Sequence, residues 1–190
     1  FKILSYPLRD PGFDVDWYPS NSLPAWYQST PDSDFTDLVG GSYDGSLCAN
    51  ISSYDFLTSN HIYQTYLQLQ VVNGTEISFW WRLQELLGPS SSAYIDIGFE
   101  GSYWLHYFIG GEEGIGTNNT YHTYYYLDNS NITNTWFNTR RDIFQDLEDG
   151  LGSHVWNLTS FHVYTQASGG DISIVNLDDI NFVDTGKPII

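Results

Sequence analysis

Apolar and polar side chains alternate with a period of two along much of this 190-residue chain. The alternation is plainest at 62–69 (Ile-Tyr-Gln-Thr-Tyr-Leu-Gln-Leu), 76–82 (Glu-Ile-Ser-Phe-Trp-Trp-Arg), 93–99 (Ala-Tyr-Ile-Asp-Ile-Gly-Phe), 102–109, 121–127 and 160–166. Runs of this length and period predict β-strands with one face buried. Clusters of Gly, Asn, Pro and Ser separate them at the short spacing of a sandwich or jelly roll. Asn73-Gly74 predicts a hairpin joining the strands on either side of it, and Glu100-Gly101 predicts a second. One short amphipathic helix is predicted over 140–149, with Ile143, Phe144 and Leu147 on one face and Gly150 ending it.

The last strand, 171–183, carries an irregularity. Ile172 and Ile174 share one parity, Val175 and Leu177 take the other, and Ile180 and Phe182 return to the first. The slip falls around Asn176 to Asp179 and predicts a β-bulge, which re-aims side chains. Two of these are Asp178 and Asp179, hard oxygen ligands of the kind calcium prefers. The plainer reading of the same pair is a solvated strand end.

Composition narrows the function. Twenty-three acidic residues face six basic ones, a formal net charge of −17. No basic patch for nucleic-acid phosphate is expected, and bound divalent cations are one way to relieve such self-repulsion. Cys48 is the sole cysteine, so no intrachain disulfide and no cysteine-based metal site can form. No apolar run reaches the ~18 residues of a membrane span. A chain beginning at Phe1 and carrying five Asn-x-Ser/Thr sequons, at Asn50, Asn73, Asn118, Asn131 and Asn157, is expected to be extracellular, secreted or at the cell surface, and glycosylated.

No constellation points to catalysis, and the chain is expected not to be an enzyme. Glycosidases need two carboxylates across a cleft. Glu76, Glu85, Asp96 and Glu100 are candidates, but none sits in a recognisable pattern. No Gly-x-Ser-x-Gly elbow occurs, and the histidines at 61, 106, 122, 154 and 162 lack zinc spacing. His106 and His162, inside aromatic strands, read as structural. Aromatic side chains offer sugar binding instead, through Trp17, Trp26, Tyr27, Trp80, Trp81, Trp104, Tyr124 or Trp136. Trp80 and Trp81 are adjacent, so one must face the core and the other the opposite side. Any single aromatic reads as core filling; a surplus on one outer face would mean more.

The chain carries Pro-Gly-Phe-Asp at 11–14, Leu-Pro-Ala-Trp-Tyr at 23–27, a Gly-rich turn and Ser-Leu at 40–49, a Tyr-Gln strand at 62–69 and Ile-Ser-Phe-Trp-Trp-Arg at 77–82. In these segments it resembles carbohydrate-binding-module jelly rolls of the galactose-binding-like type. The resemblance implies an all-β jelly-roll β-sandwich of about nine antiparallel strands with at most one short helix. Residues 1–190 would form one domain. It also implies a structural Ca2+ held by Asp14 in place of the usual Glu, by Asp179 with Asp178 as the alternative, and by carbonyls between Gly41 and Ser46.

Apolar ends, at 1–8 and 188–190, suggest assembly: Phe1, Ile3, Leu4, Tyr6 and Leu8 would form a strand donated to a neighbouring copy, giving a homopolymer. Secreted archaeal tube and filament proteins of the calcium-dependent cannula type are similar to this plan. The expected function is a non-catalytic, calcium-stabilised subunit of an extracellular filament, tube or matrix. The alternative is an extracellular glycan-binding module.

Overall fold

The computed structural model describes residues 2–3, 27–28, 48–54, 59–111 and 116–184. Two sheets pack face to face. In chain order the elements are β1 (Lys2–Ile3), β2 (Tyr27–Gln28), β3 (Ala49–Tyr54), β4 (Asn60–Val71), β5 (Thr75–Leu87), β6 (Ser92–Phe99), β7 (Tyr103–Gly110), β8 (His122–Tyr126), β9 (Phe137–Asp142), α1 (Ile143–Leu151), β10 (Trp156–Gln166) and β11 (Ile172–Asp184). The first sheet runs β1-β11-β5-β9, with β3 also paired to β11; the second runs β2-β4-β10-β6-β7-β8. The β-sandwich expected from the alternation is therefore the observed fold.

Period-2 burial makes the core. In β5, Ile77, Phe79, Trp81 and Leu83 are fully buried, while Trp80 and Arg82 between them are half-buried on the outer side. Opposite them, Ile95, Ile97, Phe161 and Val163 of the second sheet are equally buried. Ser53 Oγ donates to the Thr165 carbonyl at 3.0 Å and Ser173 Oγ to the Ser92 carbonyl at 2.7 Å, so hydroxyls rather than hydrocarbon close one end of the interior.

The predicted slip in the last strand is present. The register of β11 against β5 shifts between Asp178 and Asn181, and Asp179 adopts φ 49°. The extra residue lets Val175 and Leu177 share the core with Ile180 and Phe182 although the two pairs have opposite parity.

Three expectations need correction. Asn73-Gly74 does turn the chain, with Thr75 N donating to the Val72 carbonyl at 2.8 Å and Gly74 at φ 85°. The strands it joins do not pair, however: β4 lies beside β10 in one sheet and β5 beside β11 in the other. Each strand has one apolar face, and crossing between sheets buries both faces against one another instead of side by side. The sheets are also not wholly antiparallel, because β8 pairs parallel to β7. Finally, 140–142 belongs to β9, and the helix runs past Gly150 to a cap at Gly152. Asp142 is the N-cap, its carboxylate accepting from Gln145 N, and Gly150 lies within the helix, where a Cβ would strike Thr123 of β8. The Glu100-Gly101 hairpin forms as expected, pairing Phe99 with Tyr103.

Helix α1 is pinned by a buried carboxylate. Asp146 accepts from Tyr107 Oη at 2.6 Å and from Arg141 Nε and Nη2 at 2.9 and 2.6 Å. The Arg141 guanidinium lies over the rings of Tyr107 and Tyr125. Removing the carboxylate strands a cation and a buried phenol, so Asp146→Ala is expected to lose roughly 3 kcal/mol. Tyr107→Phe, which deletes one hydrogen bond, should lose about 1 kcal/mol. Urea unfolding of both variants checks the order; equal losses would mean that the ion pair contributes nothing.

Candidate functional site

The outward face of the six-stranded sheet is built almost entirely from rings. Alternation turns the aliphatic residues of β4, β10, β6 and β7 and Thr123 of β8 inward, and what remains on the other side lines up by register into three rows. The middle row is Tyr63, His162, Asp96, His106 and Tyr124. On one side of it run His61, Tyr164, Tyr94, Phe108 and Tyr126; on the other, Thr65, Ser160, Gly98, Trp104 and His122. Five strands at about 4.8 Å spacing make a field roughly 19 Å across.

The rings tile one another. His61 stacks on Tyr164 with centroids 4.4 Å apart, Tyr94 on Tyr164 at 5.0 Å, Tyr63 on His162 at 5.3 Å and Tyr124 on His106 at 4.3 Å. Gly98 makes a further contact possible. A Cβ there would come within 2.4 Å of Ser160 Oγ and 3.0 Å of the Trp104 ring, so only glycine lets the indole lie across the sheet towards His162.

One polar chain runs through the field. Asp96 Oδ1 accepts from His106 Nδ1 at 2.5 Å, and His106 Nε2 meets His122 Nδ1 at 2.9 Å. The two imidazoles have centroids 5.2 Å apart and planes within 13°, so they meet edge to edge in one plane. Asp96 is buried, and burial raises its carboxyl above the ordinary range, with the hydrogen bond and charge of His106 opposing. Burial lowers His122, with His106 adding to the effect, and it lowers His61. His162 falls to about 4, from burial first and His61 second. Tyr94 and Tyr124 are raised by burial and then by the Asp96 carboxylate, and Tyr164 for the same reasons is pushed up to about 12. Burial thus disfavours the charged forms of His61, His122, His162, Tyr94, Tyr124 and Tyr164 around one hydrogen-bonded carboxyl.

The sequence-derived candidates divide between this face and other places. Trp104, Tyr124, His106 and His162 belong to it; the last two are hydrogen-bonded or stacked, yet they stand on an outer face rather than in the core. Trp81 is core, its Nε1 donating to Thr139 Oγ1 at 2.8 Å, and Trp80 faces the opposite side, as adjacency required. Trp136 lies under the Arg82 guanidinium. Tyr27 is in β2, paired to Tyr63, and Trp17 and Trp26 lie outside the described residues. His61, Tyr63, Tyr94, Phe108, His122, Tyr126 and Tyr164 were not singled out by the sequence. Their common signal is a ring at every second position, on the parity opposite to Ile, Val and Leu.

The candidate carboxylates do not converge. Glu76 is paired with Arg140 and Glu85 also sits on β5, both in the other sheet; Asp96 is on the ring field. Glu100 is not on a strand neighbouring Asp96 but in the exposed turn after it, accepting from Asn157 Nδ2 at 2.7 Å.

Of the proposed calcium ligands, Asp14, Gly41 and Ser46 lie outside the described residues. Asp178 is buried, whereas Asp179 is exposed and its Oδ1 accepts from Asn181 Nδ2 at 2.9 Å. Of the assembly residues, Ile3 lies in β1, whose pairing is with β11 of the same chain; Phe1, Leu4, Tyr6 and Leu8 are outside the described residues.

The sequons occupy different settings. Asn118 is exposed in a loop, its Oδ1 accepting from Tyr124 N. Asn131 is exposed, but its amide exchanges two hydrogen bonds with Gly111. Asn50 and Asn157 are half-buried in strands, and Asn73 is half-buried in its turn. No described helix is long and apolar enough to cross a membrane.

The histidines give the face a pH signature. A histidine whose folded pKa lies below its unfolded value of about 6.5 is stable as the neutral form, so its contribution is complete above pH 6.5 and is lost as pH falls towards the folded value. For His162, with a folded value of about 4, the window is pH 6.5 to 4 and the loss at its foot up to about 3 kcal/mol. Asp96, raised, works the other way, gaining stability as pH falls. Melting temperature should therefore drop between pH 7 and 4.5, and His162→Phe should flatten that drop. An unchanged slope in the variant would remove His162 from the titration.

No protein-family model matches the chain, and no curated protein sequence matches it. Solved structures do resemble its fold. A carbohydrate-binding module, TmCBM61, in complex with β-1,4-galactotriose aligns over 94% of this chain and 97% of its own at 12% identity, TM-score 0.50. The cellulose-induced protein Cip1 aligns over 84% of this chain and 91% of its own at 17% identity, TM-score 0.52. The endoglucanase Cel12A from Rhodothermus marinus aligns over 83% and 98% at 13% identity, TM-score 0.50. At such identities the likeness is one of fold: a jelly-roll β-sandwich of the kind found in carbohydrate-binding modules and in an endoglucanase.

Proposed function

We propose that this protein binds a neutral carbohydrate chain on the outward face of its six-stranded sheet. The observation that carries the reading is the three-row field of His, Tyr, Trp and Phe on that face. Aromatic rings present flat apolar area to the C–H faces of sugar rings, and hydroxyls need a few placed polar partners, here His122 and the tyrosine hydroxyls. Neutrality of the ligand follows from charge. Among the described residues no Lys or Arg belongs to the three rows, and Arg82, Arg140 and Arg141 are engaged elsewhere, with Asn176, Glu76 and Asp146. A net charge of −17 repels uronates and sulfates further.

Binding is favoured over hydrolysis because the three rows hold a single carboxylate, and glycoside hydrolysis uses two about 5–10 Å apart. Two readings from the sequence stand beside this one as proposals. Assembly into filaments by strand donation rests on 1–8, and deletion of those residues with electron microscopy of the product tests it. Structural calcium rests on Asp179, with Asp178 the alternative: calcium should raise the melting temperature and Asp179→Ala should abolish the rise. A rise that survives in Asp179→Ala removes that residue from the site.

Affinity electrophoresis and calorimetry against neutral polysaccharides (β-1,4-galactan, xylan, hydroxyethylcellulose) and acidic ones (polygalacturonate, alginate) test the main reading. Retention by at least one neutral polymer and by neither acidic one is expected. Trp104→Ala and Tyr124→Ala, folded by circular dichroism, should each weaken binding about tenfold. Wild-type affinity in both variants, or preference for the acidic polymers, would defeat the proposal.

A further inference from the structure

Tyr66 stands apart from every other aromatic described. Its side chain is 91% exposed, more than any other large hydrophobic residue among those described. Its backbone is at φ 60°. The other non-glycine residues at positive φ are Ser102, three asparagines and Asp179, small polar residues, the Asn and Asp of which tolerate this conformation through local hydrogen bonds. A bulky aromatic there is strained.

The strain has a structural source. Between Thr65 and Leu69, β4 carries three residues, where β10 carries only Thr159 between Ser160 and Leu158 and β6 none between Gly98 and Phe99. Excess chain therefore grows strand by strand towards the sheet edge and ends in Tyr66. Among the described residues, β2 on the outer side of β4 pairs with Tyr63 and Ile62. Bulges of this kind bend a strand and re-aim its side chains. Thr65, the residue just before, is the end member of the row that contains Trp104 and His122.

We propose that Tyr66 is a further carbohydrate-contacting residue, an aromatic rim at the β4 end of the ring field that extends the bound chain beyond the sheet face. The inference rests on the glycan-binding reading and deepens it. An aromatic side chain left in water on a strained backbone contributes nothing to folding that a glycine would not improve. A ligand that stacks on it accounts for both features.

The test uses the full chain with soluble β-1,4-galactan and hydroxyethylcellulose as probes. Tyr66→Gly relieves the positive φ and should raise the melting temperature by about 2–4 °C while weakening binding about tenfold. Tyr66→Trp, which keeps an aromatic plane, should bind as the wild type does. If Tyr66→Gly binds like the wild type while Trp104→Ala and Tyr124→Ala do not, Tyr66 is no contact and this inference alone falls. It falls too if light scattering shows a wild-type dimer that Tyr66→Gly dissolves at unchanged affinity, for Tyr66 is then a contact between copies. If the wild type binds none of β-1,4-galactan, xylan and hydroxyethylcellulose, or no variant changes its affinity, the glycan-binding reading fails and takes this one with it.

Discussion

Burial of two alternating faces against one another governs the rest of this molecule. Ile77, Phe79, Trp81 and Leu83 on one sheet and Ile95, Ile97, Phe161 and Val163 on the other are removed from water almost completely. Side chains of this size each gain about 1.5–3 kcal/mol from such burial. Because strand side chains alternate strictly, committing these residues inward commits their neighbours outward. The ring field is thus the complement of the core, and a one-residue register slip in any of its strands would exchange the two.

Where the alternation is broken, the break has a purpose in packing. The slip between Asp178 and Asn181 brings Ile180 and Phe182 back to the interior, at the cost of placing Asp179 at positive φ. The slips in β4 and β10 bend one corner of the six-stranded sheet and place Tyr66 in water. At Gly98 the adaptation is the absence of a side chain, which lets the Trp104 ring lie across the sheet. Each departure is local, because the ladders on either side of it hold the register.

Electrostatics on the ring field follow from burial more than from the large overall charge. Asp96 is removed from water and finds compensation in one strong hydrogen bond to His106, which in turn meets His122. His61, His122 and His162 lose affinity for protons and Tyr94, Tyr124 and Tyr164 hold theirs more tightly, all from desolvation first. A surface of this kind offers hydrogen bonds and flat apolar area without a lysine or arginine. That is the chemistry of uncharged hydroxylated ligands, and it contrasts with the opposite side of the sandwich, where Arg82 and Arg140 are placed.

Alternation along the chain was enough to show a β-sandwich, the bulge in the last strand, the opposite orientations of Trp80 and Trp81 and one short helix, because these depend on periods of two and 3.6 that neighbouring residues express directly. The same periodicity could not tell which strands lie side by side. Asn73-Gly74 dictates a turn, and whether β4 and β5 then pair or part is decided by the competing partners β10 and β11, distant in sequence. The candidate site was hidden for the same reason. His61, Tyr94, His106, Tyr124 and His162 each look like an unremarkable alternate position in one strand, and only the order β4-β10-β6-β7-β8 brings them into one field. Likewise, no local pattern marks Tyr66, since its strain comes from a mismatch in length between three strands, a quantity that exists only once they are paired.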